Sequence, residues 1–276
     1  MERSQLRSTR ARQYTFAMST ADVVPTEPAG GIEPHFTTTR GALFANDCLS
    51  LMSHIRSEVV DCVFADPPFN IGKDYKNGYD DSKSDRDYFD WSEVWIKESF
   101  RILKPGGAIF IYATPELAIR FGSILNGFAT FRHWIAMSMK GTYRRGNRLY
   151  PAHYALLYYT KGDPAVFNSL RVPIPTCRHC GGEIRDYGGH RNKLNPDGLN
   201  LTDFWDDTSP NRHRKFKVRP GVNELKLMIP ERAVLISTRP DAVVFDPFGG
   251  GGSTFQAAEK NSRFWIGSEL YDADHV

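Results

Sequence analysis

The chain has 276 residues, 41% hydrophobic and 24% charged side chains, and a net charge of +3, proportions that suit a globular protein with a full core. No apolar run approaches the roughly 20 residues needed to cross a bilayer, which argues against a membrane role. Four cysteines without the spacing of a disulfide framework point to a reducing, cytoplasmic compartment.

In chain order, residues 1–35 are rich in Ser, Thr, Pro and Gly without periodicity and read as a disordered leader. The Arg-rich beginning gives a weaker targeting alternative, with Met18 as a second candidate start. Over 36–162 the pattern is α/β. Strands are expected at Gly41–Ala45 and Val59–Ala65 with a short helix at Cys48–Arg56 between them. A helix over Asp85–Leu103 carries Tyr88, Trp91, Trp95 and Ile102 on one stripe. Lys104–Gly107 then turns into a strand at Ala108–Tyr112, and further β material lies at Phe128–Met139 and Tyr154–Thr160. Residues 163–221 lack a regular pattern and exceed a normal connecting loop, so they read as an insertion. From 222 to 276 follow a helix at Asn223–Thr238, a strand at Val243–Phe245, a Gly-rich turn, a helix to Lys260 and a strand at Phe264–Gly267. This alternation predicts a doubly wound parallel sheet.

Asp66-Pro67-Pro68-Phe69 directly follows the apolar run Val59–Ala65, at the carboxyl end of a strand where open α/β sheets place ligands. An exocyclic amine on a base is a poor nucleophile because its lone pair is delocalised into the ring. Acceptors for both amine protons favour the charge that builds as nitrogen attacks a methyl group, and the Asp66 carboxylate and Pro67 carbonyl are suited to this. Two prolines fix the loop, and Phe69 offers a face for stacking. A base inside a duplex would have to swing out to reach it.

The second segment is Asp246-Pro247-Phe248 followed by Gly249-Gly250-Gly251-Gly252-Ser253-Thr254. Its glycines permit a tight strand-to-helix turn and close backbone approach to a ligand, and the helix starting near Ser253 has free N–H groups. Glu269, 23 residues after Asp246 and just past the next strand, is placed for ribose hydroxyls. No Lys stands where a phosphate-binding loop needs one. A dinucleotide stays open on these residues, although the glycine spacing is not Gly-x-Gly-x-x-Gly.

Both segments, in this order, resemble the β class of adenine-N6 and cytosine-N4 DNA methyltransferases, and the resemblance runs from Arg40 to the end of the chain. It implies a Rossmann-like methyltransferase sheet with an inserted target-recognition region at 163–221, a catalytic half at 36–162 and an S-adenosylmethionine-binding half at 222–276. It implies Asp66, Pro67, Pro68 and Phe69 as catalytic residues. It also implies Asp47, Asp246, Pro247, Phe248, Gly249, Gly250, Gly251, Ser253, Thr254 and Glu269 as cofactor contacts, Asp47 because Ala45-Asn46-Asp47-Cys48 resembles the family's opening segment. Leu103–Gly107 resembles the family's helix–strand turn, and His153–Lys161 a late strand. Asp66 is the adenine-type letter, where cytosine-type enzymes usually carry Ser. The chain departs from the family in Lys217–Glu224, which replaces a His-Pro-x-x-Lys-Pro segment, and in having four consecutive glycines.

Between Lys140 and Pro220, 15 Lys and Arg stand against 7 Asp and Glu, a balance of +8 that leaves −5 for the rest of the chain. Such an asymmetry suits a phosphate-facing module. Arg144, Arg145, Arg148, Arg212, Arg214, Lys215 and Lys217 are the candidate contacts to duplex DNA. Cys177-Arg178-His179-Cys180 reads either as half a zinc knuckle, with His179 and His190 nearest as further ligands, or as reduced cysteines in a turn. The expectation is a cytoplasmic, nucleoid-associated DNA adenine-N6 methyltransferase. Cytosine-N4 transfer and a non-catalytic DNA-binding protein are the alternatives, and a homodimer and a restriction endonuclease partner stay open.

Overall fold

The computed structural model describes residues 32–72, 81–139, 146–147, 149, 151–177, 180–183, 188–189, 193–210 and 224–270. Strands β1 (Phe36–Thr37) and β2 (Gly41–Phe44) precede helix α1 (Cys48–His54) and β3 (Val60–Ala65). The long helix α2 (Asp85–Ile102) runs straight into β4 (Leu103–Ala113), followed by α3 (Pro115–Leu125), β5 (Thr130–Ser138) and β6 (His153–Thr160). Short strands β7 (Arg171–Val172), β8 (Leu199–Asn200) and β9 (Phe204–Trp205) come next. Helix α4 (Met228–Ser237), β10 (Val243–Asp246), α5 (Ser253–Lys260) and β11 (Phe264–Ser268) follow.

Nine strands form one sheet in the order β1-β2-β11-β10-β3-β4-β6-β5-β9. β2, β11, β10, β3 and β4 are parallel neighbours. β6 runs antiparallel to both β4 and β5, so the doubly wound sheet is mixed rather than wholly parallel. An antiparallel pair, unlike a parallel one, needs no crossover helix between its strands.

The central strands read as continuous apolar runs because helices cover both faces. Alternate side chains serve two cores. Val63, Ala65, Ile109 and Ile111 meet Leu51 of α1, Trp95 of α2 and Phe121 of α3. Cys62, Phe64, Phe110 and Tyr112 share the other core with Ile229 and Ala233 of α4 and Phe255 of α5. Of the stripe expected on α2, Tyr88, Trp95 and Ile102 are buried and Trp91 is half-buried.

Local chemistry sets the helix boundaries. Ser84 caps α2 by accepting from the Asp87 N–H, with Asp85 and Asp87 in the first turn. Thr114 caps α3 with Pro115 at its start; the apolar patterning did not predict this helix. Helix α4 starts at Met228 rather than Asn223. Just before it the Lys226 N–H donates to the Pro210 carbonyl at 2.9 Å, so the backbone there bonds across to the insertion instead of along a helix. Lys104–Gly107, expected as a turn, belongs to β4 as an irregularity between the pairs Val60↔Leu103 and Cys62↔Ala108. Gly106 has φ +78°, and a Cβ there would lie 2.7 Å from the Ala165 nitrogen.

The described part of the insertion is fastened to the sheet. β9 extends it beside β5. The Arg232 guanidinium of α4 lies over Trp205 at 5.0 Å and pairs with Asp207. No helix among the described residues is long and apolar enough to cross a membrane.

Candidate active site

Parallel pairing puts the carboxyl ends of β2, β11, β10, β3 and β4 along one edge of the sheet. The registers Val244↔Cys62 and Phe245↔Val63 make the Gly-rich loop after β10 and the Asp66 loop after β3 leave that edge side by side. Helix α2 braces both. The Tyr88 hydroxyl donates to the Pro68 carbonyl at 2.6 Å, and the Trp91 and Trp95 rings pack on Phe248 at 5.7 and 5.2 Å. Tyr88 is legible in sequence as a core aromatic; the use of its hydroxyl is not.

In the first loop Asp66 is half-buried and Pro67 buried. Asn70 turns the chain with φ 53°. The carboxylate of Asp81, only 4% exposed, accepts from the Asn70 and Ile71 N–H groups at 2.9 and 3.1 Å. The Asn70 amide exchanges hydrogen bonds with the Lys83 backbone at 2.9 and 2.8 Å. These bonds pin the chain on both sides of residues 73–80, which lie outside the described residues. Sequence reasoning missed Asp81, since one acid in a polar stretch carries no periodic signal. Phe69 faces Tyr112 and Tyr154 at 5.9 and 6.2 Å, and those two rings lie 5.0 Å apart.

The second loop is tied to its own acid. Asp246, 3% exposed, accepts from the Phe248 N–H at 2.9 Å. Burial pushes its carboxyl up to about 7, with the Glu269 charge adding, although bonds from Thr254 and the Phe248 backbone oppose the shift. Gly250 and Gly252 have φ +51° and +71°, and Gly252 starts α5, which opens with Ser253 and the buried Thr254. Glu269 accepts from the Gly250 N–H at 2.7 Å. The Ser268 hydroxyl donates to the Pro247 carbonyl at 2.7 Å, and the Gly249 N–H donates to the Ser268 carbonyl at 2.8 Å. A Cβ on Gly249 would meet the Phe255 ring at 3.0 Å and that same carbonyl at 3.1 Å. Gly251 is exposed on the loop. At the end of β2, Asp47 caps α1, its Oδ1 accepting from Leu49 and Ser50 at 2.9 and 3.2 Å. The acids Asp47, Glu269 and Asp66 thus stand at the ends of β2, β11 and β3, a field that suits a cationic ligand with hydroxyl groups.

Burial raises the Cys48 thiol strongly and pushes Cys62 up to about 12. Both stay protonated and are unsuited to nucleophilic work. Cys177 and Cys180 sit in a turn closed by Cys177 N–H to Gly182 carbonyl and Gly181 N–H to Cys177 carbonyl, at 2.7 and 2.8 Å. No group of three or more His, Cys, Asp or Glu side chains that could hold a metal ion occurs among the described residues. His179 and His190 lie outside the described residues, as do Arg144, Arg145, Arg148, Arg212, Arg214, Lys215 and Lys217.

Helices on both faces of a largely parallel sheet, an antiparallel late strand and two loops leaving one edge side by side define a Rossmann-like methyltransferase fold. The DNA methylase family matches residues 60–274, and the chain belongs to that family. It is 48% identical over 246 residues to the type II methyltransferase M.BamHI of Bacillus amyloliquefaciens, covering 89% of this chain. The chain spans 58% of that relative's length. The type II methyltransferase M.HpaI of Haemophilus parainfluenzae is 26% identical over 234 residues, 83% of this chain and 69% of the relative. Among solved structures, the PvuII DNA methyltransferase (cytosine-N4-specific) superposes with a TM-score of 0.60 at 19% identity, covering 87% of this chain and 85% of that one. TTHA0409 of Thermus thermophilus, complexed with S-adenosyl-L-methionine, gives 0.56 at 20% identity, covering 84% and 89%.

Proposed function

We propose that the chain methylates an exocyclic amine of a base swung out of duplex DNA, the N6 of adenine on the identity of Asp66. What carries the reading is the departure of the Asp66 loop and the Gly-rich loop from adjacent parallel strands on one edge, braced by one helix. When bound, S-adenosylmethionine supplies an electrophilic methyl group on a sulfonium. The residues at this edge fit it: Glu269 and Asp47 for hydroxyl and adenine groups, the turn of Gly249–Gly251 for close approach, Phe248 for its apolar part, and Ser253 and Thr254 at the helix start. Asp246 and Pro247 hold the turn in shape.

Asp66 accepts one amine hydrogen and the Pro67 carbonyl accepts the other, which localises the nitrogen lone pair. Pro68, held by the Tyr88 hydroxyl, fixes the loop. Phe69, backed by Tyr112 and Tyr154, supports the base by stacking. With that cofactor held there, its methyl group would pass to the amine nitrogen and leave a neutral thioether, and one amine proton would depart on the Asp66 side to solvent. No cysteine takes part.

The basic segment of residues 163–221 with Arg144, Arg145 and Arg148 would carry the phosphate contacts and target recognition. A protein working on DNA in this way belongs in the cytoplasm at the nucleoid, as a monomer or homodimer, with a restriction endonuclease as a natural counterpart. The test is labelled methyl transfer to duplex DNA by wild type and Asp66→Ala. The variant should lose about 10²–10³-fold in kcat while binding S-adenosylmethionine normally by calorimetry. Unchanged turnover in Asp66→Ala contradicts the assignment. Cofactor binding without transfer in the wild type would instead support a non-catalytic DNA-binding role.

A further inference from the structure

One aromatic beside the Asp66 loop has a hydroxyl without a hydrogen-bond partner among the described residues. Tyr112, near the end of β4, is 3% exposed, and its hydroxyl is buried with no hydrogen-bond partner among the described residues. A buried hydroxyl without a partner is disfavoured unless something else engages it, and phenylalanine would fill the same space without that penalty.

Register says what stands beside it. β3 and β4 are parallel, with Phe64 paired to Phe110 and Ala65 to Ile111. Pairing ends at Ala65↔Ile111; continued one step, that register would set Asp66 beside Tyr112, in keeping with the Asp66 charge acting on the phenol. Paired positions in neighbouring strands point to the same face of a sheet. Ala65 and Ile111 belong to the core under α1–α3, whereas Phe64, Phe110 and Tyr112 belong to the core under α4 and α5. Phe69 packs against that second core too, with its ring on Tyr112. The phenol is pushed up chiefly by burial and further by the Asp66 charge, so it remains a hydrogen-bond donor throughout the working pH range.

We propose that Tyr112 is a positioning residue for the transfer: with the base in place, its hydroxyl donates to the Asp66 carboxylate and holds that group, ionised and oriented, against the target amine. A carboxylate has acceptor sites for several donors at once, so it can take this bond together with one from the target amine. Tyr154, 5.0 Å from Tyr112 by ring centroid, closes the same aromatic floor. The inference rests on the proposed amine methylation and assigns a further residue to its site.

The test is Tyr112→Phe, which removes one oxygen and keeps the ring against Phe69 and Tyr154. Tyr158→Phe is the control, because Tyr158 also buries an unpartnered hydroxyl in this core but stacks on Phe110 at 4.5 Å, away from the loop. With Tyr112→Phe, kcat should fall about 10-fold or more, on the general scale of a lost oriented hydrogen bond at a reacting group. KM for DNA, the Kd for S-adenosylmethionine and Tm should stay near wild type. The acid limb of the kcat–pH profile should move to higher pH, since a carboxylate that loses a donor becomes harder to ionise. Fluorescence of duplex DNA carrying 2-aminopurine at the target position should be unchanged, separating flipping from chemistry. Tyr158→Phe should match wild type throughout. An active wild type with an unaltered kcat and acid limb in Tyr112→Phe overturns this inference alone. A wild type that transfers no methyl group to an amine overturns the functional reading and this inference with it.

Discussion

Asp66 and Asp246 end neighbouring strands yet meet different surroundings. Asp66 is half-buried, while Asp246 is buried with its charge disfavoured. The folded state therefore holds a proton on Asp246 that the unfolded chain releases, the folded carboxyl titrating near 7 against 3.8 for the ordinary group. Its contribution to stability is complete below about pH 4 and is lost as pH rises through about 7. Asp246→Asn keeps the acceptor for the Phe248 N–H and removes the titration. Across that pH window the Tm of the cofactor-free wild type should decline more steeply than that of the variant, read by thermal unfolding at several pH values. Equal slopes would show that Asp246 is not the titrating group. These two acids are legible in sequence because each directly follows an apolar run. Tyr112 and Asp81 are not, since their importance depends on which strand lies alongside and which N–H groups come within reach.

At the scale of elements, α2 and α4 act as struts. Helix α2 reaches both loops, through Tyr88 to Pro68 and through Trp91 and Trp95 to Phe248. Helix α4 fastens the insertion, through Arg232 on Trp205 and its pair with Asp207. The Arg232 side chain is 11% exposed, so Asp207→Ala leaves a largely buried cation without its acid. A cost of about 1–3 kcal/mol is expected, or roughly 2–4 °C of Tm for each kcal/mol in a protein of this size. An unchanged Tm would mean solvent replaces the carboxylate freely. The pattern of long apolar runs and a periodic α2 is readable from the residues alone. The antiparallel course of β6 is not, because strand direction depends on pairing rather than on local composition. Helix α3 does announce itself locally, in Thr114-Pro115-Glu116, but it is short and follows a strand so closely that its signal merges with β4.

At the scale of the whole molecule, charge divides the chain into a basic middle and an acidic remainder. Replacing Arg212, Arg214, Lys215 and Lys217 with alanine should weaken binding to duplexes of any sequence. The slope of log affinity against log salt should fall by roughly 0.9 for each phosphate that is no longer neutralised. An unaltered slope would remove this segment from the DNA interface and shift attention to Arg144, Arg145 and Arg148. In the proposed function, the Asp66 loop and the Gly-rich loop form one site that methylates an exocyclic amine. Digestion of duplex DNA treated with the protein and labelled S-adenosylmethionine, followed by nucleoside identification, addresses it most directly. The label should appear in N6-methyladenine and vanish with Asp66→Ala. Label in N4-methylcytosine would keep the amine chemistry but overturn the choice of base, and no label on any exocyclic amine would contradict the claim outright.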